Sequence, residues 1–266
     1  MITIGADPEL FIYDKRNEKI ISSIGIIPGE KGNPYRSDDM PEGFGLEIDN
    51  ILAEFNIPPC TTLEEWLHHM NYMKDYIRNF VQKANPDYDI LCKASAHVDK
   101  DQLKSKEAKL FGCSVDYNVY TERPNPKPKG ESTDLRSTGC HIHLGYDRPN
   151  TYDSLMLVRY MDMYVGIPSV LFDDDSERRQ LYGKAGSFRL CPYGLEYRVL
   201  SGAFIANDEL MEFAFTQAMA AYNAFVENKE LFPEDETQKI INEGCKEKAM
   251  SVCRTYNILK NQKKMI

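Results

Sequence analysis

The sequence predicts an α+β fold in which an antiparallel β-sheet carries helices packed on one face. Strand-like segments come first, one helix interrupts them, further strands follow, and helices finish the chain, an order typical of this class. The regular strand–helix alternation of doubly wound parallel sheets is missing. No repeat and no long linker divides the chain. We therefore predict one domain over residues 1–266, with its motifs within about 1–205 and C-terminal helices over about 207–266.

The first part of the chain alternates polar and apolar residues with the period of two that is typical of strands. We predict strands within residues 1–14, 19–29 and 43–59, and a loop at 28–43 that is rich in proline, glycine and charge. Pro8 predicts a kink in the first strand, and the last strand segment stops at Pro58.

The first helix is predicted to begin after Thr62, because Thr62 and Glu65 have the spacing of a capping box. Apolar residues then recur at helical spacing to about residue 83. His68 and His69 lie on this helix. As neighbours they point to different faces, so we predict that they are surface or partly buried helix residues.

The remaining two thirds of the chain contain further strands and then helices. We predict strands within 111–121, 138–146 and 194–204, loops at 123–136 and 173–189, and helices over 151–172, from Asn207 to about 229, and over 234–262 with an interruption at Gly244.

Composition narrows the class of protein. The formal net charge of −9, from 41 acidic and 32 basic residues, argues against a broad electrostatic grip on polymeric nucleic acid. The seven cysteines are scattered without a CxxC pair, which is typical of reduced thiols. No secretion signal and no apolar stretch of membrane-spanning length is evident. We expect a soluble protein of the cytoplasm that does not bind membranes.

Polar pairs at strand spacing are the main functional signal. Residues i and i+2 share a face of a strand, and the predicted strands carry such pairs at Asp7/Glu9, Glu47/Asp49 with Glu54 further along, His141/His143 and Glu196/Arg198. Each acidic pair alone is also compatible with a strand facing solvent. If the strands form one sheet, however, carboxylates and imidazoles gather on one face, and such a cluster requires cations. Hard Mg²⁺ or Mn²⁺ suits this ligand set.

A basic segment follows the histidines. Arg178, Arg179, Lys184 and Arg189 lie within twelve residues, and arginine binds phosphate oxygens in bidentate fashion. A solvated loop is the alternative interpretation. An acidic metal site together with arginines is typical of a phosphoryl-transfer centre.

Other interpretations of the HxH pair fit less well. Zinc amidohydrolases require further histidines downstream, and none follows His143. Cupins require a glutamate shortly after the pair, and residues 144–149 contain none. Phosphate-loop, dinucleotide-binding and nucleophile-elbow motifs are absent. Cys140 adjoins His141, but neighbouring strand residues face opposite ways, which disfavours a Cys–His nucleophile.

Five segments in order resemble one family. "GADPELFI", "DNILAEFNIPP", "GCSVDYNVYT", "TGCHIHLGY" and "YGLEYRVLSGAF" look like the phage-associated type 2 carboxylate–amine ligases, or amidoligases, of the glutamine synthetase-like and glutamate–cysteine ligase-like superfamily. The resemblance implies a curved antiparallel sheet with helices on its outer face and with ATP and divalent ions on its concave face. It also implies that ATP phosphorylates a carboxylate and that an amine then displaces phosphate.

The resemblance also implies roles for individual residues. It assigns metal binding to Asp7, Glu9, Glu54, His141 and Glu196, catalysis to Arg198, Glu196 and Asp49, and nucleotide contacts to Arg179, Lys184, Arg189 and His143. Many relatives have glutamate where this chain has Asp7, so that position is a variation. Asp116 and Asn118 match a family motif without an assigned role.

The implied partners are ATP, Mg²⁺ (or Mn²⁺), and small-molecule or peptide carboxylates and amines. A guanidino-kinase-like phosphotransferase and an inactive ligand-binding relative are the alternatives. We expect the loops at 28–43 and 123–136 to determine specificity. If the chain is phage-encoded, the host cytoplasm is its expected location. The sequence predicts neither the identity of the substrates nor an oligomeric state.

Overall fold

A computed structural model describes residues 2–109, 115–126, 133–173 and 175–259. Within these ranges the chain forms an open antiparallel sheet covered by helices, which confirms the predicted combination of an antiparallel sheet with helices. The finer assignment to a glutamine synthetase-like fold stays a prediction. No helix in the described ranges is both long and apolar enough to cross a membrane.

Ten of the twelve described strands belong to one sheet, and β6 and β9 pair separately. The strands are β1 (Ile2–Asp14), β2 (Lys19–Ile21), β3 (Gly45–Asp49), β4 (Leu52–Asn56), β5 (Tyr88–Leu91), β6 (Ser95–His97), β7 (Tyr117–Asn118), β8 (Arg123–Pro124), β9 (Leu135–Ser137), β10 (Cys140–Tyr146), β11 (Ser187–Cys191) and β12 (Gly194–Tyr197). The main path runs β3-β4-β1-β10-β12-β11-β7-β8, and β2 and β5 pair with the last part of β1. The long strand β1 therefore lies at the centre of the sheet.

Eight α-helical segments are described. They are α1 (Leu63–Ala84), α2 (Lys106–Lys109), α3 (Thr151–Met161), α4 (Ile167–Ser169), α5 (Ser176–Leu181), α6 (Asp208–Val226), α7 (Glu234–Glu243) and α8 (Lys246–Thr255). The predicted capping box of α1, the Asn207 cap of α6 and the break at Gly244, which has φ +68°, are confirmed. His68 is exposed and His69 is partly buried, as predicted.

The two faces of β1 differ in chemistry. Ile4, Leu10 and Ile12 point into the main core, where they meet Trp66 of α1 and the buried faces of α3 and α6. The intervening odd-numbered residues point to the other face. There a smaller core around Phe11 covers the far end of β1. The odd-numbered face between the start of β1 and this small core is the polar face of the sheet.

Several predicted boundaries were wrong. Residues 43–59 form a hairpin, because Asn50 adopts φ +65° and turns the chain between β3 and β4. The segment 19–29 keeps strand structure only over Lys19–Ile21, and the strand predicted at 194–204 ends at Tyr197. The helix predicted at 151–172 changes to a π-helical turn over Asp162–Gly166.

Two of the three segments predicted as loops contain regular structure. Residues 173–189 form α5 and begin β11, because Asp175 caps the helix by accepting from the Arg178 backbone N–H at 2.8 Å. The segment 123–136 contributes β8 and the first residues of β9. Of the strand predicted at 111–121, the described part (115–121) has strand structure only at β7; residues 110–114 and 127–132 lie outside the described ranges.

A buried aspartate joins the helices to the sheet. Asp162 of the π-helical turn accepts hydrogen bonds from Tyr197 at 2.7 Å and from Tyr120 at 2.8 Å. Burial raises the pKa of Asp162 to about 7. Tyr197 is the last residue of β12, between Glu196 on the strand and Arg198 directly after it, so this contact helps to hold two of the predicted site residues.

Candidate active site

The strand register gathers the predicted polar pairs on one face. Asp7 lies opposite His141, and His143 lies opposite Glu196. Glu9 lies opposite Glu54, which in turn lies opposite Glu47. On the other side of β12, Glu196 lies opposite Arg189. The shared face expected from the i, i+2 spacing is therefore present in the structure.

A first cluster consists of Asp7, His141 and Glu196, whose ligand atoms lie within 4.8 Å of one another. The Nδ1 atom of His141 is 3.0 Å from Asp7 Oδ1 and 3.4 Å from Glu196 Oε1. His143 Nε2 lies 3.2 Å from the same Asp7 oxygen. Burial raises the pKa of Asp7, but the charges of His143 and His141 and their hydrogen bonds outweigh it and bring that pKa well below its ordinary value.

Two arginines border the first cluster. Arg198 makes an ion pair with Glu196 Oε1, and its Nη1 lies 3.2 Å from His141 Nδ1. Arg189 Nη1 reaches the other oxygen, Glu196 Oε2, at 3.2 Å. Both cations therefore stand beside a potential metal ligand, where they can bind anionic oxygen atoms.

A second cluster consists of Glu9, Asp49 and Glu54, which are only 6%, 6% and 8% exposed. The backbone N–H of Gly139 donates to Glu9 at 2.7 Å. Burial raises the pKa of Glu54 well above its ordinary value, and the charges of Asp7, Glu9 and Asp49 raise it further. Burial and Asp49 also raise the pKa of Glu9.

Both clusters fit divalent cations. Asp49 Oδ1 and Glu54 Oε2 are buried without a hydrogen-bond partner among the described residues. A buried carboxylate oxygen without a partner is unfavourable, and a cation is its natural complement. Carboxylate oxygens with one imidazole suit hard Mg²⁺ or Mn²⁺ better than a soft metal.

Lys31 is a site residue that the sequence analysis missed. Its ammonium makes an ion pair with Asp49, and the backbone N–H of its neighbour Gly32 donates to Glu47 at 2.9 Å. Burial lowers the pKa of Lys31, but Asp49, Glu54 and Glu9 together outweigh this effect and raise that pKa. The segment 28–43 thus brings a cation to the second cluster. The only sequence signal was a lysine in a loop before an acidic strand.

The predicted phosphate contacts separate in space. Arg189 joins the first cluster, and Lys184 lies in the partly buried turn before β11. Arg179 points elsewhere, because its guanidinium donates to the Ile241 carbonyl at 3.3 Å and to the Asp173 carbonyl at 2.8 Å. Arg179 therefore lies buried against α7. The nucleotide contacts expected for Arg179, Lys184 and Arg189 stay predictions.

A cleft opens beside both clusters. It is lined by Glu9, Asp49, Asp116, Arg136, Thr138, His141, Arg178 and Arg198, among others. Arg178 is buried and donates to the carbonyls of Thr138, Val199 and Leu200 at 2.8–3.0 Å. It therefore fixes the turn before β10 to the segment that follows β12 and adds positive charge to the lining of the cleft. Its structural role was not recognised in the sequence.

The aspartate and asparagine of the "DYN" segment have different positions. Asp116 lines the cleft and accepts from the Asn125 amide at 3.0 Å. Asn118 donates to the Ala185 carbonyl at 2.8 Å, and its side-chain oxygen accepts from the backbone N–H groups of Tyr120 and Thr121. Asn118 is thus a turn-stabilising residue in this structure.

Comparison with known proteins adds one match. The family model described as "Phage phiEco32-like COOH.NH2 ligase-type 2" matches residues 131–264. The matched range contains His141, His143, Arg189, Glu196 and Arg198, whereas the carboxylates of β1, β3 and β4 precede it. No curated protein matches the chain at a significant level.

Proposed function

The chain belongs to the phage phiEco32-like COOH.NH2 ligase-type 2 family, and from this premise we propose that it uses ATP and Mg²⁺ to join a carboxylate to an amine. Membership supports carboxylate–amine ligase activity at the level of the family. The observation that carries the finer proposal is the pair of carboxylate clusters on one sheet face, with Arg189 and Arg198 beside them. Metal ligands and arginines together suit phosphoryl transfer.

The proposed metal ligands are Asp7, His141 and Glu196 in the first cluster, and Glu9 and Glu54 in the second. Mg²⁺ or Mn²⁺ held there would neutralise the phosphate oxygens of ATP. The protein contributes ligands that are already positioned by antiparallel pairing, because Asp7 and His141 lie on directly opposite strand positions, as do Glu9 and Glu54.

The first proposed step activates the acid. A carboxylate oxygen of the substrate attacks the γ-phosphorus of ATP, the bond to the bridging oxygen breaks, and ADP leaves. Arg198 and Arg189 balance the negative charge that spreads over the transferring oxygens. The product is an acyl phosphate, which has the leaving group that a free carboxylate lacks.

The second proposed step forms the amide. The amine nitrogen attacks the acyl carbon, the carbon–oxygen bond to phosphate breaks, and inorganic phosphate leaves. The nitrogen loses a proton in this step. We assign the acceptance of this proton to Asp49, which lines the cleft together with Glu9 and Arg198. The cleft contains cationic and anionic side chains, as an acid and an amine substrate require.

Hydroxylamine tests this proposal because it traps an acyl phosphate as a hydroxamate. The protein is incubated with ATP, Mg²⁺, hydroxylamine and a panel of amino-acid, peptide and other small carboxylates, and hydroxamate and phosphate are measured. We expect at least one carboxylate to give both products, and Arg198→Lys to give much less. A stable phosphorylated product without hydroxamate would instead identify a kinase. No ATP consumption with any substrate would contradict ligase activity.

A further inference from the structure

A groove continues the polar face of the sheet beyond the first cluster, on the side away from the cleft. It encloses about 340 Å³, within the usual range of small-molecule pockets. Its lining includes Thr3, Gly5, Asn56, Ile57, Gly145 and Tyr193, and Asp7 and His143 form the end that adjoins the cluster.

The groove exists because large side chains are missing from one part of the face. On the shared face, the pair of Gly5 with His143 lies one position along the ladder from Asp7 and His141, and the pair of Thr3 with Gly145 lies two positions along. A Cβ atom at Gly5 would find its nearest neighbour, His143 Cβ, at 3.7 Å. The Ile57 carbonyl oxygen and Pro59 Cα follow at 3.8 and 3.9 Å, all ordinary contact distances, so a methyl group fits at Gly5 and a larger side chain would enter the groove.

Tyr193 supplies an aromatic wall. It lies in the turn between β11 and β12 and is 45% exposed. Its hydroxyl is hydrogen-bonded to His143 Nδ1, and the two rings are nearly parallel, with centroids 6.0 Å apart. A large, exposed ring that is held by its hydroxyl beside an open groove can stack against a planar ligand.

We propose that this groove receives the base of the nucleoside triphosphate, stacked against Tyr193 above Gly5. This inference rests on the proposed function and adds an orientation to it. The phosphates extend past Asp7 and His143 to the metal clusters, and the acid and amine substrates bind in the cleft on the far side. Gly5 to Glu9 of the second cluster spans about 13 Å of strand, which matches the separation of base and terminal phosphates in an extended nucleotide.

The charge distribution favours this orientation over the reverse. The cleft has Arg198, Arg178 and Arg136 in its lining, next to Asp49 and Asp116. The groove is lined by glycines, apolar atoms and neutral polar groups up to Asp7 and His143. A substrate carboxylate is stabilised in the cleft, whereas an uncharged planar ring loses little by leaving water for the groove.

The test compares ATP with inorganic tripolyphosphate, which has the phosphates but no base. Binding of each to wild type, Gly5→Leu and the matched control Gly5→Ala is measured by calorimetry in Mg²⁺. Leucine fills the groove, whereas the Cβ of alanine fits without a close contact. We expect Gly5→Leu to weaken ATP binding by about 10- to 100-fold and to leave tripolyphosphate binding within about 2-fold. Gly5→Ala should resemble wild type.

Other results separate this inference from the proposed function. Unchanged ATP binding in Gly5→Leu, or equal weakening of both ligands, overturns the placement of the base. Wild type that binds tripolyphosphate as tightly as ATP also overturns it, while the metal–phosphate site stands. Wild type that binds neither ligand contradicts the proposed function itself. If Gly5→Leu does not fold, ATP and tripolyphosphate are compared on Tyr193→Ala instead. We expect this variant to bind ATP more weakly than wild type does and to keep its affinity for tripolyphosphate.

Discussion

Wild type is expected to lose folding stability as the pH rises, because Asp162 ionises in the core. Replacement of Asp162 by asparagine is expected to remove this loss. Asp162 is fully buried, and its partners are the Tyr120 and Tyr197 hydroxyls and the Gly186 backbone N–H. All three groups donate hydrogen bonds, which stabilise the ionised carboxylate. Burial nevertheless raises its pKa from an ordinary 3.8 to about 7.

The sign of the effect follows from linkage. An acid whose pKa is higher in the folded state favours folding when it is protonated, so this contribution is fully present below pH 3.8. It is lost as the pH rises to about 7 and stays lost above. At 1.36 kcal/mol per pKa unit, the loss is about 4 kcal/mol. The amide of the Asp162→Asn variant bears no charge at any pH and keeps an acceptor for one tyrosine, so the loss should not occur in the variant.

Urea unfolding of wild type and Asp162→Asn at pH 5 and pH 8 measures the effect. The comparison between the two proteins removes the contributions of other titrating groups. We expect the variant to gain stability relative to wild type by about 2 kcal/mol or more between pH 5 and pH 8. A difference in unfolding free energy that is the same at both pH values would refute the assignment of a raised pKa to Asp162.

Three further substitutions test the charges of the site. Lys31→Met should lower the free energy of unfolding of the metal-free protein by about 1–2 kcal/mol. The loss is small because the Lys31 side chain is 40% exposed. Mg²⁺ should then raise the melting temperature of the variant more than that of wild type, and an equal rise would contradict the pairing with Asp49. Glu54→Gln should abolish ATP turnover and leave metal-free stability equal or higher, since it removes one of several repelling carboxylates; retained turnover would disprove its metal role. Arg178→Met should destabilise the fold by about 3 kcal/mol or more in urea unfolding, because three carbonyls lose their donor. A neutral result would show that water replaces the guanidinium.

Local periodicity was sufficient to predict the shared polar face. Asp7 and His143 belong to short-range patterns in which alternate residues share a strand face, and antiparallel pairing then brought those faces together. The capping box of α1 and the left-handed Gly244 are equally local signals. Features that depend on a few adjacent residues could therefore be predicted from the sequence.

Contacts between distant segments could not be predicted in the same way. Lys31 reaches Asp49 across 18 residues, and Arg178 reaches the Thr138 carbonyl across 40. Both basic residues lie in segments that read as charged loops, where composition does not distinguish a solvated side chain from a buried one. Asp162 did offer a signal, because it is an acidic residue inside an otherwise largely apolar helix.

Magnesium-dependent binding of ATP tests the central claim most directly, because it requires no knowledge of the substrates. ATP is titrated into wild type, Glu196→Gln and the control Glu64→Gln, which alters an exposed glutamate of α1, each with and without Mg²⁺. We predict that wild type and the control bind ATP only with Mg²⁺, and that Glu196→Gln binds at least about 10-fold more weakly. Binding that needs no Mg²⁺ and is equal in all three proteins would contradict a metal–nucleotide site formed by Asp7, His141 and Glu196.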